Sequence, residues 1–210
     1  NYDLPDKPIS DRIRNYLAWP LYLSLQVSDR AALKSVAKII EVALPPELNI
    51  DPKIPVAPDT PEGRHVWCQC LTAMRRRMND ETEARVFLGD HLTGFKGRFP
   101  GLVEEVHLAI GSGKPVYLIG GFGGCTAAII DALRGGTPET LTLDYHRAAD
   151  PMLAATLDAE VNVPDTRAAY AAILQDLHRA GIQGLKNGLE EAENQRLCET
   201  DDIDEMVALV

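Results

Sequence analysis

The chain has 210 residues, 45% of them hydrophobic and 25% charged, with a formal net charge of −10. Such proportions belong to a globular protein with a sizeable core, arranged as one large or two small domains. The acidic balance argues against nucleic acid as a partner, since phosphate neutralisation needs clustered Lys and Arg, but it leaves room for one small anion held by local cations.

No apolar run approaches the roughly 18 residues of a membrane span, and the start lacks the regions of a signal peptide. Cys68, Cys70, Cys125 and Cys198 form neither a CxxC pair nor a disulfide framework. Reduced thiols in a cytoplasmic protein without a metal site are expected. The opening "NYDLPDKPIS" has no initiator Met and no recognisable first strand, which reads as a piece of a longer polypeptide.

In chain order, residues 1–60 read as an extended and helical lead-in packing on the domain that follows. "YLAWPLYLSL" predicts one short strand around Leu21 to Leu25. Leu33, Val36, Ala37 and Ile40 recur at helical spacing, predicting a helix from about Ser28 to Val42. "LPPELNIDPKIPVAPDTP" carries six prolines and predicts an extended connection. Thr60 and Pro61 then mark a helix start, with Val66, Trp67, Cys70, Leu71 and Met74 on the inner face through Met78.

From here strands and helices alternate. "ARVFLG" (84–89) predicts a strand buried on both faces, "LVEEVHLAIGSG" (102–113) a helix stopped by glycine, "KPVYLIGG" a second strand and "CTAAIIDALRGG" a second helix. This is the βαβ rhythm of an α/β domain, assigned here to residues 61–210 with a helical tail. Helices are predicted at about 137–145 and 165–180, the latter N-capped by Asp165, and again from Ile203 after a short helix.

Ligands of open α/β sheets bind beyond the carboxyl ends of the strands, where two glycine-rich loops fall. Gly120, Gly121, Phe122, Gly123 and Gly124 form the second. Its glycines admit positive φ, and the helix beginning at Cys125 and Thr126 offers free N–H groups suited to phosphate. A tight turn needing glycine only for packing would look the same. In the first loop, "HLTGFKGRFPGLVEE", Lys96 and Arg98 are the only cations, Phe95 and Phe99 could stack on a base, and Gly94 and Gly97 give clearance. Glu104 and Glu105 either cap the next helix or accept hydrogen bonds from ribose hydroxyls. His91 and His107 have no evident partners. Neither loop is a dinucleotide fingerprint, because Thr126 stands where glycine or alanine is required, and "AIGSGKP" is no Walker A motif, because Pro115 replaces its Ser or Thr.

"PVYLIGGFGG" leading into a helix, preceded by "GRFPGLVEE" and "GKP", resembles the SLOG superfamily, the Rossmann-like group that includes LOG enzymes and DprA proteins. The likeness is strongest to SLOG domains found with TIR domains in bacterial conflict systems. It covers most of the chain, with motif-grade residues only in 84–134. It implies an α/β, Rossmann-like parallel sheet flanked by helices, partial here without its N-terminal strands. The family's GGxGT loop maps onto Gly120 to Gly124, with Gly124 in place of the Thr. The glutamate that LOG enzymes carry three residues later is Ala127 here, which speaks against their hydrolase activity. A glutamate at the start of the helix before "GKP" attacks ribose in the deoxyribosyltransferase branch, a place comparable to Glu104 or Glu105.

The resemblance therefore implies a domain that needs no cofactor and senses a nucleotide of the NAD, ADP-ribose or cyclic ADP-ribose class. It would control a TIR NADase in cis or in trans, as part of an anti-phage defence and as a homo-oligomer. The alternatives are an N-glycosidase using Glu104 or Glu105, and an oligomerising scaffold packed through Ala127, Ala128 and Ala132.

Overall fold

The computed structural model describes residues 12–159 and 166–210. Two parallel strand pairs lie within it: β1 (Arg14–Ala18) beside β2 (Lys38–Val42), and β3 (Arg85–Leu88) beside β4 (Val116–Ile119). Helix α1 (Val27–Val36) joins the first pair and α3 (Gly101–Gly111) the second, while α2 (Pro61–Asp80) leads from one pair to the other. After β4 come α4 (Gly124–Leu133), α5 (Leu143–Ala149), α6 (Pro151–Asp158), α7 (Thr166–Ala180), α8 (Glu191–Glu199) and α9 (Ile203–Leu209). The expected class, α/β with parallel strands and flanking helices, holds.

The lead-in differs most from expectation. Leu21–Ser24 is a 3-10 turn rather than a strand. The strand lies earlier, in Arg14–Ala18, and stops before Pro20, which has no N–H for a ladder. The expected helix to Val42 ends at Val36, because Ala37 is extended and "KIIEV", rich in β-branched residues, forms β2. Two parallel strands therefore stand where sequence patterning shows one short strand. Trp19, fully buried against Cys70 and Leu71, seats this pair on α2, and its indole N–H donates to Pro52 O at 2.9 Å.

The main core lies around the second pair. Phe87, Val116 and Leu118 meet Val106 and Ala109 of α3, Ile129 and Ala132 of α4, and Ile173 and Leu177 of α7. Ala128 and Ala132, read as a stripe for oligomer packing, are buried in this chain's own core. On the opposite sheet face, Ile119 packs under Leu197 of α8 and Met206 of α9. These helices cover β4 and leave the same face of β3 open, so Val86 and Leu88 are 44% and 51% exposed while Phe87 is buried. β3 is buried on one face, not two.

Between 137 and 145 the expected helix divides. A 3-10 turn (Glu139–Leu141) precedes α5, which Thr142 caps by accepting the Tyr145 N–H at 3.3 Å. The expected cap Asp165 lies outside the described residues. His107 does have a partner: its Nε2 is 3.0 Å from Asp176 Oδ2. His146 of α5 is 1% exposed, ringed by Phe95, Tyr145 and Tyr170, and neither ring nitrogen has a hydrogen-bond partner. Burial pushes its pKa down to about 4.

That shift makes stability depend on pH. Between about 6.5 and about 4 the unfolded imidazole is protonated and the folded one is not, so acidification favours unfolding. Urea titrations should lose up to about 3 kcal/mol to this residue on going from pH 7 to pH 4. His146→Phe should flatten that part of the slope; a slope unchanged in the variant would contradict the assignment.

Candidate functional site

The carboxyl ends of β3 and β4 place the two glycine-rich loops in direct contact. Gly89 and Asp90 follow β3 with φ of 60° and 73°, two left-handed residues in succession. This bend turns both carbonyls toward α4. Cys125 N donates to Asp90 O at 3.0 Å, and Thr126 donates to Gly89 O through its N–H (3.0 Å) and its hydroxyl (3.2 Å). Thr126 is fully buried in doing so. A Cβ on Gly124 would stand 2.4 Å from Asp90 O, so glycine is required there for the bend to close. Two of the α4 N–H groups expected to face a phosphate thus serve the neighbouring loop. Gly124 N–H has no acceptor among the described residues, and neither do those of Gly121 and Phe122.

Other glycines of the second loop serve packing. A Cβ on Gly120 would lie 2.0 Å from Cys198 O, and one on Gly121 2.0 Å from Thr200 O. The backbone after α8 therefore runs directly across these two residues. Gly123 differs: its φ is +68° and a side chain there would meet open space. Phe122, half exposed at the tip, is a large apolar group held at the loop's surface.

In the first loop the main chain is oriented rather than merely flexible. Phe95 O accepts from Arg64 Nη2 at 2.5 Å, Lys96 O from Cys68 Sγ at 3.5 Å and Arg98 O from Tyr170 OH at 2.9 Å. With Gly89 and Asp90, five carbonyls of the loop are tied to the scaffold. By contrast, among the described residues no backbone N–H from His91 to Phe99 donates to a protein acceptor. A loop with anchored carbonyls and unpaired amides presents partial positive charge, the electrostatics of an anion-binding nest. Gly94, with φ of +76° and nothing near its Cβ position, lies at the exposed turn of this loop.

The side chains divide between structure and availability. Phe95 lies edge-on to His146 at 5.0 Å with the Arg64 guanidinium 5.9 Å over its ring, and Phe99 is buried against Tyr170. Neither is free to stack on a base. Lys96 is exposed and Arg98 half-buried, and neither has an ion-pair partner among the described residues. Arg98 lies close enough to His65 to reinforce the lowering of its pKa, which burial mainly causes. Burial pushes the Cys68 thiol up to about 11, and Cys125 up to about 12, so neither is a thiolate nucleophile at neutral pH.

Glu104 and Glu105 are both engaged beneath the loop. Glu104 is buried, accepting from Arg75 Nη1 and from the Thr72 hydroxyl, each at 2.5 Å. Glu105 pairs with Arg85 and lies 3.5 Å from Arg75 Nε. Gly97 and Gly101 make room for Arg75, whose guanidinium would be 2.9 Å and 3.1 Å from Cβ atoms at those positions. The clearance expected for a ligand at Gly97 is used by an arginine.

Arg64 and Arg75 organise this region, a role that the loop motifs of the sequence do not indicate. A signal was present: Arg64, Leu71 and Arg75 fall on the inner stripe of α2, where an arginine must have a buried partner.

Among the described residues no helix is long and apolar enough to cross a membrane, and no cluster of three metal-ligating side chains occurs. A family model described as SLOG cluster2 matches residues 1–197. No curated protein and no solved structure matches the chain.

Proposed function

The chain belongs to the SLOG cluster 2 family, and from that membership and its loop geometry we propose that it binds a nucleotide at the carboxyl ends of β3 and β4. The observation that carries the reading is the 89–99 loop: carbonyls bonded to protein donors, and N–H groups from His91 to Phe99 without an acceptor among the described residues. Phosphate oxygens would take up those amides together with Gly121, Phe122 and Gly124, and Lys96 and Arg98 would supply charge. Gly94 and Gly123 keep the two turns unobstructed.

The ligand class we propose is NAD-derived: ADP-ribose, cyclic ADP-ribose or NAD itself. Binding would regulate a TIR NADase, in the same polypeptide or a partner, within a homo-oligomeric bacterial defence system. Family likeness supports this part of the proposal. Sensing is preferred to glycosidic cleavage because an attacking carboxylate must reach the anomeric carbon, and both candidates are held by arginines.

Calorimetry with ADP-ribose, cyclic ADP-ribose, NAD and AMP tests the reading. At least one should bind, and Gly123→Val should abolish that binding, because a β-branched residue at φ +68° costs about 1–3 kcal/mol and reshapes the loop. Failure of all four to bind the wild-type chain would remove the proposal.

A further inference from the structure

A cleft of about 830 Å³ lies between the C-terminal ends of α4 and α7, the segment leading into α8, and α8 itself, whose Cys198 and Glu199 line it. Its volume is that of a small-molecule site. Arg134, Arg179 and Lys186 line it against two carboxylates, Glu191 and Glu199, so its local charge opposes the net −10 of the chain.

Its base is rigid. Asn187 Nδ2 donates to Val116 O and to Asn194 Oδ1, both at 2.8 Å, and Asn194 Nδ2 donates to Leu189 O at 3.2 Å. These buried amides lock the turn before α8 onto the amino end of β4. The rim, in contrast, is available. Arg134 reaches Glu199 at 3.2 Å and Arg179 reaches Asp176 at 2.7 Å, but both are exposed surface pairs that hold little energy and exchange partners readily. Lys186 has no ion-pair or hydrogen-bond partner among the described residues. It also adopts φ 47° and ψ 28°, a left-handed conformation unusual for lysine, in a turn flanked by Gly181 and Gly188 at positive φ. The left-handed conformation caps the 3-10 turn Ile182–Leu185, and the exposed lysine lies at the cleft wall with its Nζ 3.3 Å from where a Cβ on Gly113 would stand, free to turn toward an anion.

We infer that this cleft, lined by no residue of the glycine loops, is a second small-molecule site for a hydroxylated phosphate ester. Lys186 supplies a point charge to the phosphate and Arg179 a fork, while Gln183 and Gln195 on the lining meet hydroxyl groups. Glucose 6-phosphate is the probe, used with the full chain in calorimetry. Lys186→Gln and Arg179→Gln should each weaken its binding about tenfold without changing the Tm, as expected when one charge-assisted contact is removed. Gly123→Val should leave its affinity at the wild-type value. Absence of binding to the wild-type chain, full affinity in both charge variants, or loss of binding in Gly123→Val would each overturn the inference. The last outcome would assign the phosphate to the glycine loops instead, so this test and that of the nucleotide proposal fail separately.

Discussion

Arg75→Leu is expected to lower the unfolding free energy by about 3–5 kcal/mol, the cost of leaving a buried carboxylate without its counter-charge. Arg75 is 6% exposed, joined to Glu104 at 2.5 Å and near Glu105 at 3.5 Å. Removing the guanidinium leaves the Glu104 carboxylate with the Thr72 hydroxyl as its one partner among the described residues and opens space under Gly97 and Gly101. The first loop should sag into that space, so ligand binding should fall with stability. Adding Glu104→Gln ought to restore most of the lost stability, since a neutral amide costs far less to bury than a lone carboxylate. Chemical denaturation of the single and double variants measures both effects. A single variant within about 1 kcal/mol of wild type would show that the pair is solvated rather than structural.

Gly120→Ala is the second large effect. The φ of Gly120 is not in the left-handed region, so an alanine meets no backbone strain and the whole cost is contact. The new methyl would stand 2.6 Å from the tip of Ile130, which can rotate, and 2.0 Å from the carbonyl of Cys198, which can move only if the end of α8 moves. A loss of about 1–3 kcal/mol is expected, with α8 and α9 lifted from Ile119 and faster proteolysis within residues 190–210. Gly111→Ala is the control. Nothing lies within 4 Å of its Cβ position at the end of α3, so alanine there should be neutral or stabilise by up to about 1 kcal/mol. Equal behaviour of the two variants in denaturation and proteolysis would show that the tail does not press on Gly120.

The contrast between these glycines shows what the sequence reveals. The order of strand, loop and helix from 84 to 134 is legible because hydrophobic runs and glycine stops are local signals, and the structure follows it closely. The meeting of the two loops is legible too, since a βαβ unit brings neighbouring strand ends together. What each glycine is for is not legible. Gly120 and Gly121 look like ligand clearance, yet their neighbours are carbonyls of Cys198 and Thr200, far along the chain. Glu104 and Glu105 look available because Arg75 and Arg85 lie on other elements. In the lead-in, Val36, Ala37 and Ile40 fall at helical spacing while "KIIEV" is rich in β-branched residues, and it is the β-branched content that decides the element.

The central claim is that backbone amides of the two loops, rather than side chains, hold the phosphates of a nucleotide. Hydrogen–deuterium exchange with and without saturating ADP-ribose tests it most directly. Exchange should slow in peptides spanning 89–101 and 120–127, including the amides of His91 to Phe99 that have no acceptor among the described residues. Bound ADP-ribose that leaves both peptides exchanging at their free rates would contradict the account.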